Sequence, residues 1–340
     1  MKTVYVGMSG GVDSSVTAAL LKKEGYSVVG VYMKNWTKSL PGFNCPWKED
    51  FHDAKRVAVQ LGIDFKVFDF EKEYKDKVVD YMIDAFKAGI TPNPDVMCNQ
   101  EIKFKLFLEA ALEDGADMIA TGHYAKVKDG KLLRAKDENK DQTYFLYRVS
   151  EEALQKTLFP LGGMTKPEVK ELAKTFGLVT ANKKESMGIC FVGKVGIKEF
   201  LSQYVETKPG KIIDINGATL GEHDGAIFYT IGQRHGLEVG GGMPLYVVGK
   251  DMDKNEVYVS SDLSDKRLWR KELDLKSIHW INGKPTDKNV QIRTRHRAPL
   301  VKGKLRGHKV ILDDEIRAIT PGQSAVIYQD QVCLGGGIIV

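Results

Sequence analysis

Two kinds of hydrophobic spacing divide this chain. Through the first part, up to about residue 200, short apolar runs alternate with stretches whose apolar positions recur every three or four residues. The runs Val4–Val6, Val28–Met33, Phe65–Phe70 and Met118–Thr121 read as strands. Ser15–Glu24, Asp50–Leu61, Glu71–Lys87 and Glu101–Glu113 read as helices, the first stopped by Gly25 and the second by Gly62. In the last of them Phe104, Phe107, Leu108, Ala111 and Leu112 line one face, which predicts a buried stripe. Thr165-Lys166-Pro167-Glu168 has the capping-box spacing, with Gly177 placed to end that helix. Such alternation predicts an α/β fold: a doubly wound parallel sheet, helices on both faces, and a ligand at the carboxyl ends of the strands.

Beyond about residue 205 the pattern turns to short β-rich runs such as Lys211–Ile215 and Glu256–Val259. Asn216-Gly217, Asp224-Gly225 and Asn282-Gly283 are hairpin-turn dipeptides between runs of this kind. A chain of 340 residues exceeds what one compact core holds. We therefore expect three units: an α/β domain over 1–200, a small β-rich central domain over 201–265, and a C-terminal β-barrel over 266–340.

Composition changes this picture in two places. The net charge of +5 is concentrated, since the stretch from Arg270 to Lys309 holds twelve Lys/Arg against three Asp/Glu. The remainder holds 38 basic and 42 acidic side chains, so the late segment alone predicts a polyanion partner. Four widely separated cysteines fit a reducing cytoplasm rather than a disulfide framework. No apolar stretch approaches the ~20 residues of a membrane span, and the N-terminus has no signal-peptide architecture, so a cytoplasmic protein without a membrane partner is expected. Neither a Cys-x-x-Cys nor a paired-His spacing is present, which argues against a protein-held metal.

The densest chemistry is Ser9-Gly10-Gly11-Val12-Asp13-Ser14-Ser15, between the first strand and the first helix. Strand, glycine turn and helix N-terminus gather backbone N–H groups into a concave nest for phosphate oxygens. Asp13 is out of place in a plain anion cup; it suits either a Mg²⁺ ion bridging to phosphates or a helix cap. The turn departs from both common nucleotide loops, having neither the Lys of one nor the glycine spacing of the other. It resembles the SGGxDS signature of PP-loop ATP pyrophosphatases, which adenylate a carbonyl oxygen and release pyrophosphate.

Two cysteines lie in loop-like contexts. Thr91-Pro92-Asn93-Pro94-Asp95-Val96-Met97-Cys98-Asn99 is held extended by its prolines and delivers Cys98 to the start of the Glu101 helix, where a helix dipole favours thiolate. Asp95 is placed to act as a general acid/base or to orient a substrate edge. A capped helix with a small buried cysteine explains the same residues. Cys190 sits in Glu185-Ser186-Met187-Gly188-Ile189-Cys190-Phe191, suited to a movable loop or to an inert core position. Farther on, Val290 to Arg297 reads as a strand that puts Arg293, Arg295 and Arg297 on one face. Lys302, Lys304, Arg306 and His308 follow in the next run; a hairpin of the two makes a cationic sheet face for phosphates, or the outer face of a small barrel.

Taken together, these stretches resemble the tRNA-specific 2-thiouridylases of the bacterial MnmA type along the whole chain. Further matches are Met33-Lys34-Asn35-Trp36, Gly122-His123-Tyr124, Lys140 to Leu146, Lys184 to Gly193, Gly221 to Gly225, Tyr229 to Arg234 and Pro321-Gly322-Gln323. The resemblance implies 2-thiolation of the wobble uridine in tRNAs for Lys, Glu and Gln, with ATP and Mg²⁺. It implies that Gly7, Met8, Ser9, Gly10, Gly11, Val12, Asp13 and Ser14 bind ATP, with Met33 and Gly122 near the adenosine. Asn93, Pro94 and Asp95 would meet the target base, and Lys140, Asp141, Gln142, Arg295 and His296 would touch tRNA. Cys98 would be the nucleophile and Cys190 the persulfide carrier, loaded by a cysteine desulfurase or a sulfur-carrier protein. Family members often have Tyr at the position of His296. An iron–sulfur cluster on Cys98, Cys190 and a carboxylate such as Asp95 stays open beside the persulfide, and Cys45 receives no role. A PP-loop ligase acting on a small carboxylate accounts for Ser9–Asp13 alone, and an RNA-binding module accounts for Arg293–Arg297 alone.

Overall fold

Valines with no exposed surface at positions 4 and 6 belong to one apolar cluster, while Tyr5 between them belongs to another. A strand buried on both faces must be central, and in this computed structural model Thr3–Gly7 is the middle of a five-stranded parallel sheet. Residues 1–39, 45–184, 196–237, 239–240 and 243–340 are described. Across the sheet the order is Asp64–Asp69, Ser27–Lys34, Thr3–Gly7, Met118–Ala120, Thr157–Leu158. The strand order reverses beside Thr3–Gly7, so the crevice at its carboxyl end, shared with Met118–Ala120, is the topological switch point where such sheets bind ligands. Helices Val12–Lys23, Trp47–Leu61 and Lys166–Thr175 cover one face. Gly62 closes the second with φ +58°, and the third carries the full Thr165/Glu168 capping box.

The other face is covered by two helices that the apolar spacing describes less well. Residues 71–87 form one continuous helix with a π-helical turn at Lys75–Val79. The second starts at Pro94 rather than at Glu101, widens to π over Cys98–Leu106 and ends as Phe107–Glu113. Cys98 is therefore inside the helix, past the first-turn N–H groups, and only 5% exposed. Phe104, Phe107, Leu108 and Ala111 form the buried stripe, but Leu112 is 37% exposed. At ~100° per residue Leu112 lies about 140° round from Phe107, off the edge of the packed arc.

The later part is β-structure. Tyr246–Asp251, Glu256–Ser260, Gly210–Ile213 and Thr219–His223 form a four-stranded sheet, with Asn216-Gly217 turning the last hairpin at a Gly217 φ of +86°. The other two turn dipeptides do not make hairpins. Asp224-Gly225 leads into a 3₁₀ turn at Ala226–Phe228, and Asn282-Gly283 leaves a strand, Trp269–Trp280, whose partners come from much later in the chain. That strand pairs with both Lys309–Arg317 and Val332–Ile339, closing a six-stranded barrel through Val301–Arg306, Asn289–Arg293 and Ser324–Gln329. A hairpin from the first unit, Lys126–Lys128 with Lys131–Leu133, adds two further strands to Val332–Ile339.

One buried ion pair joins the parallel-sheet unit to the barrel. Asp141 has no exposed surface; Oδ2 receives Arg293 Nη1 at 2.9 Å and lies 3.6 Å from Arg134 Nε, while Oδ1 accepts the Thr143 hydroxyl at 2.9 Å. The Tyr328 ring packs against the Arg293 guanidinium at 5.5 Å. Removing one member of a buried pair costs about 3–5 kcal/mol when the other charge is left uncompensated, and removing Arg293 leaves Asp141 only the longer contact to Arg134. Arg293→Met should therefore lower the unfolding free energy read from urea titration by about 2–4 kcal/mol, with a clear fall in midpoint, whereas Lys302→Met on the exposed barrel face should change it by less than about 0.5 kcal/mol. Equal midpoints for the two variants would remove the pair from its structural role.

Candidate active site

The chain leaves the central strand at Gly7 and must turn sharply into the helix Val12–Lys23. Gly10 makes the turn with φ +73°, and a Cβ there would collide with the backbone carbonyl of Asp50. Gly11 is different. It is the helix N-cap in an extended conformation, and an added Cβ would meet only Ser9 Oγ, at 3.4 Å. The first glycine is required by the fold, and the second leaves the mouth of the turn open to a ligand. Ser14 Oγ receives the Ser9 N–H at 3.2 Å and lies 3.3 Å from Ser9 Oγ, so two hydroxyls meet at the cup. Met8 and Val12 are buried in the core and bring only backbone to it. Gly7 packs under Met33, whose Cε would be 2.9 Å from a Cβ at Gly7. Gly122 lies so close that its Cβ would fall 2.9 Å from Ser14 N.

Asp13 is not a cap. It sits two residues past the N-cap, and its Oδ1 receives Lys166 Nζ at 2.6 Å and the Tyr124 hydroxyl at 3.0 Å. Spacing arguments could not find Lys166, because only the packing of Lys166–Thr175 against Val12–Lys23 brings it there. On the opposite wall Lys183 bonds Asp50 at 2.8 Å and Asp53 at 2.6 Å, fixing the helix whose carbonyl confines Gly10.

Asn93 caps the helix that carries Cys98: its Oδ1 accepts the Val96 N–H at 3.4 Å, with Pro94 in the first position. Burial pushes the Asp95 carboxyl pKa up, opposed by the charge of Lys103. The loop before the cap is gripped from two other parts of the chain. Gln323 Nε2 donates to the carbonyls of Thr91 at 3.0 Å and Pro92 at 2.9 Å, and the Thr91 hydroxyl meets that of Thr230 at 3.1 Å. Gly322 has φ +91°, and a side chain on it would strike Ile90. Gln323 lies in a matched stretch, yet nothing in its local spacing signals this grip.

The segment 141–145 ties these places together. Gln142 Oε1 accepts the Tyr124 N–H at 2.9 Å, beside Asp13. The Tyr144 hydroxyl shares its proton between the carbonyls of Thr294 and Ser324, 3.1 Å from each, and the Phe145 carbonyl accepts from Asn99 Nδ2 of the Cys98 helix at 3.1 Å. The Phe145 ring lies 4.7 Å from that of His296. Asp141 is thus an internal fastener and Gln142 a brace, while Lys140 stays part-exposed at the segment's edge.

The expected arginine face is not formed. The strand ends at Arg293, which points inward to Asp141, and residues 294–297 turn away from the ladder. Arg295 Nη2 donates to the Ala318 carbonyl at 3.0 Å, and Arg297, at φ +64°, donates through Nε to the Asn139 carbonyl at 3.0 Å. Keeping alternation past Arg293 would set like charges side by side on one ladder face, which the turn relieves. The hairpin partner does behave as expected: Lys302, Lys304 and Arg306 are exposed along Val301–Arg306, though His308 falls in the following turn.

Cys190 lies outside the described residues. Cys45 is half-buried, with Sγ 3.6 Å from the Trp36 carbonyl and its pKa raised by burial. Cys333 is fully buried, and its thiol pKa is driven far up. His296 Nδ1 finds no hydrogen-bond partner among the described residues, and burial, reinforced by Arg297 and Arg293, lowers its pKa to about 4.

Three family models match the chain: the tRNA methyl transferase HUP domain over residues 2–194, the tRNA methyl transferase PRC-barrel domain over 198–261, and the aminomethyltransferase beta-barrel domain over 270–339. The tRNA-specific 2-thiouridylase MnmA of Listeria monocytogenes serotype 4b is 50% identical over 348 residues, 99% of this chain and 94% of that one. The Streptococcus thermophilus protein of the same name is 50% identical over 352 residues with the same two coverages, and that of Streptococcus agalactiae 49%.

Two outcomes follow from the geometry. Gly10→Ala should cost about 1–3 kcal/mol of stability and Gly11→Ala less than about 0.5, read as unfolding midpoints; the reverse order would contradict the turn. His296 binds its proton less readily folded than unfolded, so it contributes stability above pH ~6.5 that is lost as pH falls toward its folded value near 4. His296→Gln should flatten the stability profile over that window, and an unchanged acid limb would refute the burial of a neutral ring.

Proposed function

The chain belongs to the tRNA-specific 2-thiouridylase family and is a tRNA sulfurtransferase; from that premise we propose that it adenylates and then thiolates position 2 of the wobble uridine in tRNAs for Lys, Glu and Gln. The observation that carries the reading is a continuous bonded path between two sites. It runs from Asp13 at the glycine turn through Tyr124 to Gln142, along the chain to Phe145, and from the Phe145 carbonyl to Asn99, next to Cys98 on its helix. A cup for phosphates and a loop that carries a base reader and a thiol are thereby held in one frame.

The chemistry asks for both. A uridine carbonyl is a poor electrophile because oxide is a poor leaving group. With ATP in the cup formed by Gly7 to Ser14, against Met33 and Gly122, uridine O2 attacks the α-phosphorus. Pyrophosphate departs with the electron pair, and the uridine N3 proton is lost. Asp95, its carboxyl made more basic by burial, is suited to take that proton. The terminal sulfur of a Cys190 persulfide then adds at C2 and AMP leaves. Cys98 thiolate attacks the Cys190 sulfur, forming a disulfide and releasing 2-thiouridine; a thiol reductant must restore the pair.

Mg²⁺ fits this site as a companion of ATP. Asp13 Oδ2 takes neither the Lys166 nor the Tyr124 bond, and one carboxylate oxygen with phosphate oxygens is an ordinary donor set for this ion. Bound there, it would neutralise phosphate charge.

We assign residues 1–200 to nucleotide binding and catalysis, 201–265 to a linking β-rich domain, and 266–340 to a tRNA-contacting barrel. Lys140, Arg295 and His296, with the exposed Lys302, Lys304 and Arg306, are the groups nearest to hand for phosphates and bases. Sulfur comes from a cysteine desulfurase or a carrier protein, in the cytoplasm. No helix of the described residues is long and apolar enough to cross a membrane.

The test is tRNA-dependent release of pyrophosphate and sulfur uptake from a persulfide donor. Cys190→Ser should accept no labelled sulfur, while Cys98→Ser should accept it without thiolating tRNA. Pyrophosphate release without tRNA would favour a ligase. Loss of bound iron in both cysteine variants would replace the persulfide with a cluster.

A further inference from the structure

The nucleotide turn supplies N–H groups, hydroxyls and one carboxylate, but no Lys or Arg occurs within Ser9–Ser15. Folding brings a cation from 153 residues away. Lys166 is only 7% exposed, with its Nζ at 2.6 Å from Asp13 Oδ1 and 5.9 Å from the centre of the Tyr124 ring.

The base of that side chain is fixed independently of Asp13. Lys166 is the first residue of a ten-residue helix, and its own N–H donates to Asp137 Oδ2 at 2.9 Å. The preceding Thr165 completes a capping box with Glu168. Lys136 pairs with Glu168 at 2.8 Å, and this pairing, with the Thr165 bonds, holds the Glu168 carboxyl near a pKa of about 2. A four-carbon arm therefore leaves from a rigid point and reaches the first turn of the helix that forms the cup. Its ammonium meets Asp13, the residue whose backbone Gly122 approaches closely. A structural tie between two helices has little need of burying an ammonium against a half-exposed carboxylate, because an apolar contact of similar volume avoids the cost of desolvating the cation. A mobile point charge next to a phosphate cup has a use.

We propose that Lys166 is a catalytic residue of the adenylation step, whose ammonium exchanges Asp13 for phosphate oxygens when ATP enters and binds the departing pyrophosphate. The inference rests on the cup being the ATP site. As the bond from uridine O2 to the α-phosphorus forms, the bond from that phosphorus to the bridging oxygen breaks, and negative charge grows on the leaving group. A cation already in place and largely withdrawn from water stabilises that charge more than it stabilises bound ATP.

The experiment uses inorganic pyrophosphate and AMP as separate ligands of the full-length protein, with Lys166→Met and Lys166→Arg. Lys166→Met should weaken pyrophosphate binding by about tenfold or more and leave AMP within about twofold. It should also lower kcat for tRNA-dependent pyrophosphate release by about 100-fold or more, with a much smaller change in KM for ATP, and Lys166→Arg should recover part of each loss. Pyrophosphate and AMP weakened together, or neither weakened, would overturn the proposal in favour of a structural tie. If the Met protein does not fold, Lys166→Arg decides: pyrophosphate affinity altered with AMP unaltered supports the role, and any other pattern refutes it. Wild-type protein that binds neither ATP nor pyrophosphate would instead refute the reading of the cup.

Discussion

A carboxylate with no contact with water sets the frame of this molecule. Burying a carboxylate in an apolar interior is costly unless a cation meets it, and Arg293 from the barrel meets Asp141 at 2.9 Å. Ion pairs of this kind add little net stability, because desolvation offsets attraction, but they tolerate almost no displacement. The barrel is therefore not only packed against the parallel-sheet unit but held in register with it. Everything that the next four residues hold inherits that register: Tyr124 through Gln142, and both Asn99 and the His296 ring through Phe145. A ligand held by the barrel would thereby be referred to the same origin as one held at the glycine turn.

The charge balance of the cup follows the same economy of parts. Its glycines solve a steric problem, Gly10 against Asp50 and Gly122 against Ser14, so that bare backbone can approach an anion. What a glycine turn lacks is a full positive charge, and the fold imports one on a separate helix. Carrying the cation outside the turn leaves Asp13 with a partner in the ligand-free protein and leaves the cup open.

Much of this was legible from residue spacing, for reasons that particular elements make plain. Val4, Val6 and the run Val28–Met33 are apolar on both faces because both faces are covered, and the parallel sheet follows. Thr165 with Glu168, Gly62 and Asn216-Gly217 act through local backbone geometry, and local geometry is what spacing encodes. Illegible features were those decided at a distance. Alternation predicted a strand through Arg297, yet Arg293 was claimed by a buried carboxylate and the ladder stopped there. The π-helical stretch at Cys98–Leu106 has no periodic signature distinct from an ordinary helix, so the start at Pro94 went unseen. Strands of three residues at Lys126–Lys128 and Lys131–Leu133 are too short to show a period at all.

That short hairpin has a consequence for how the chain is made. Its partner strand, Val332–Ile339, leaves the ribosome about 200 positions after Leu133. At ~5–20 residues per second the hairpin waits some 10–40 s with an open edge before the barrel can close on it. Unpaired strand edges recruit other chains, and lysine is a common natural guard against that. Lys131 stands exposed on the strand that Val332–Ile339 later pairs with and screens that edge during synthesis, while Lys126 and Lys128 guard the outer strand of the hairpin.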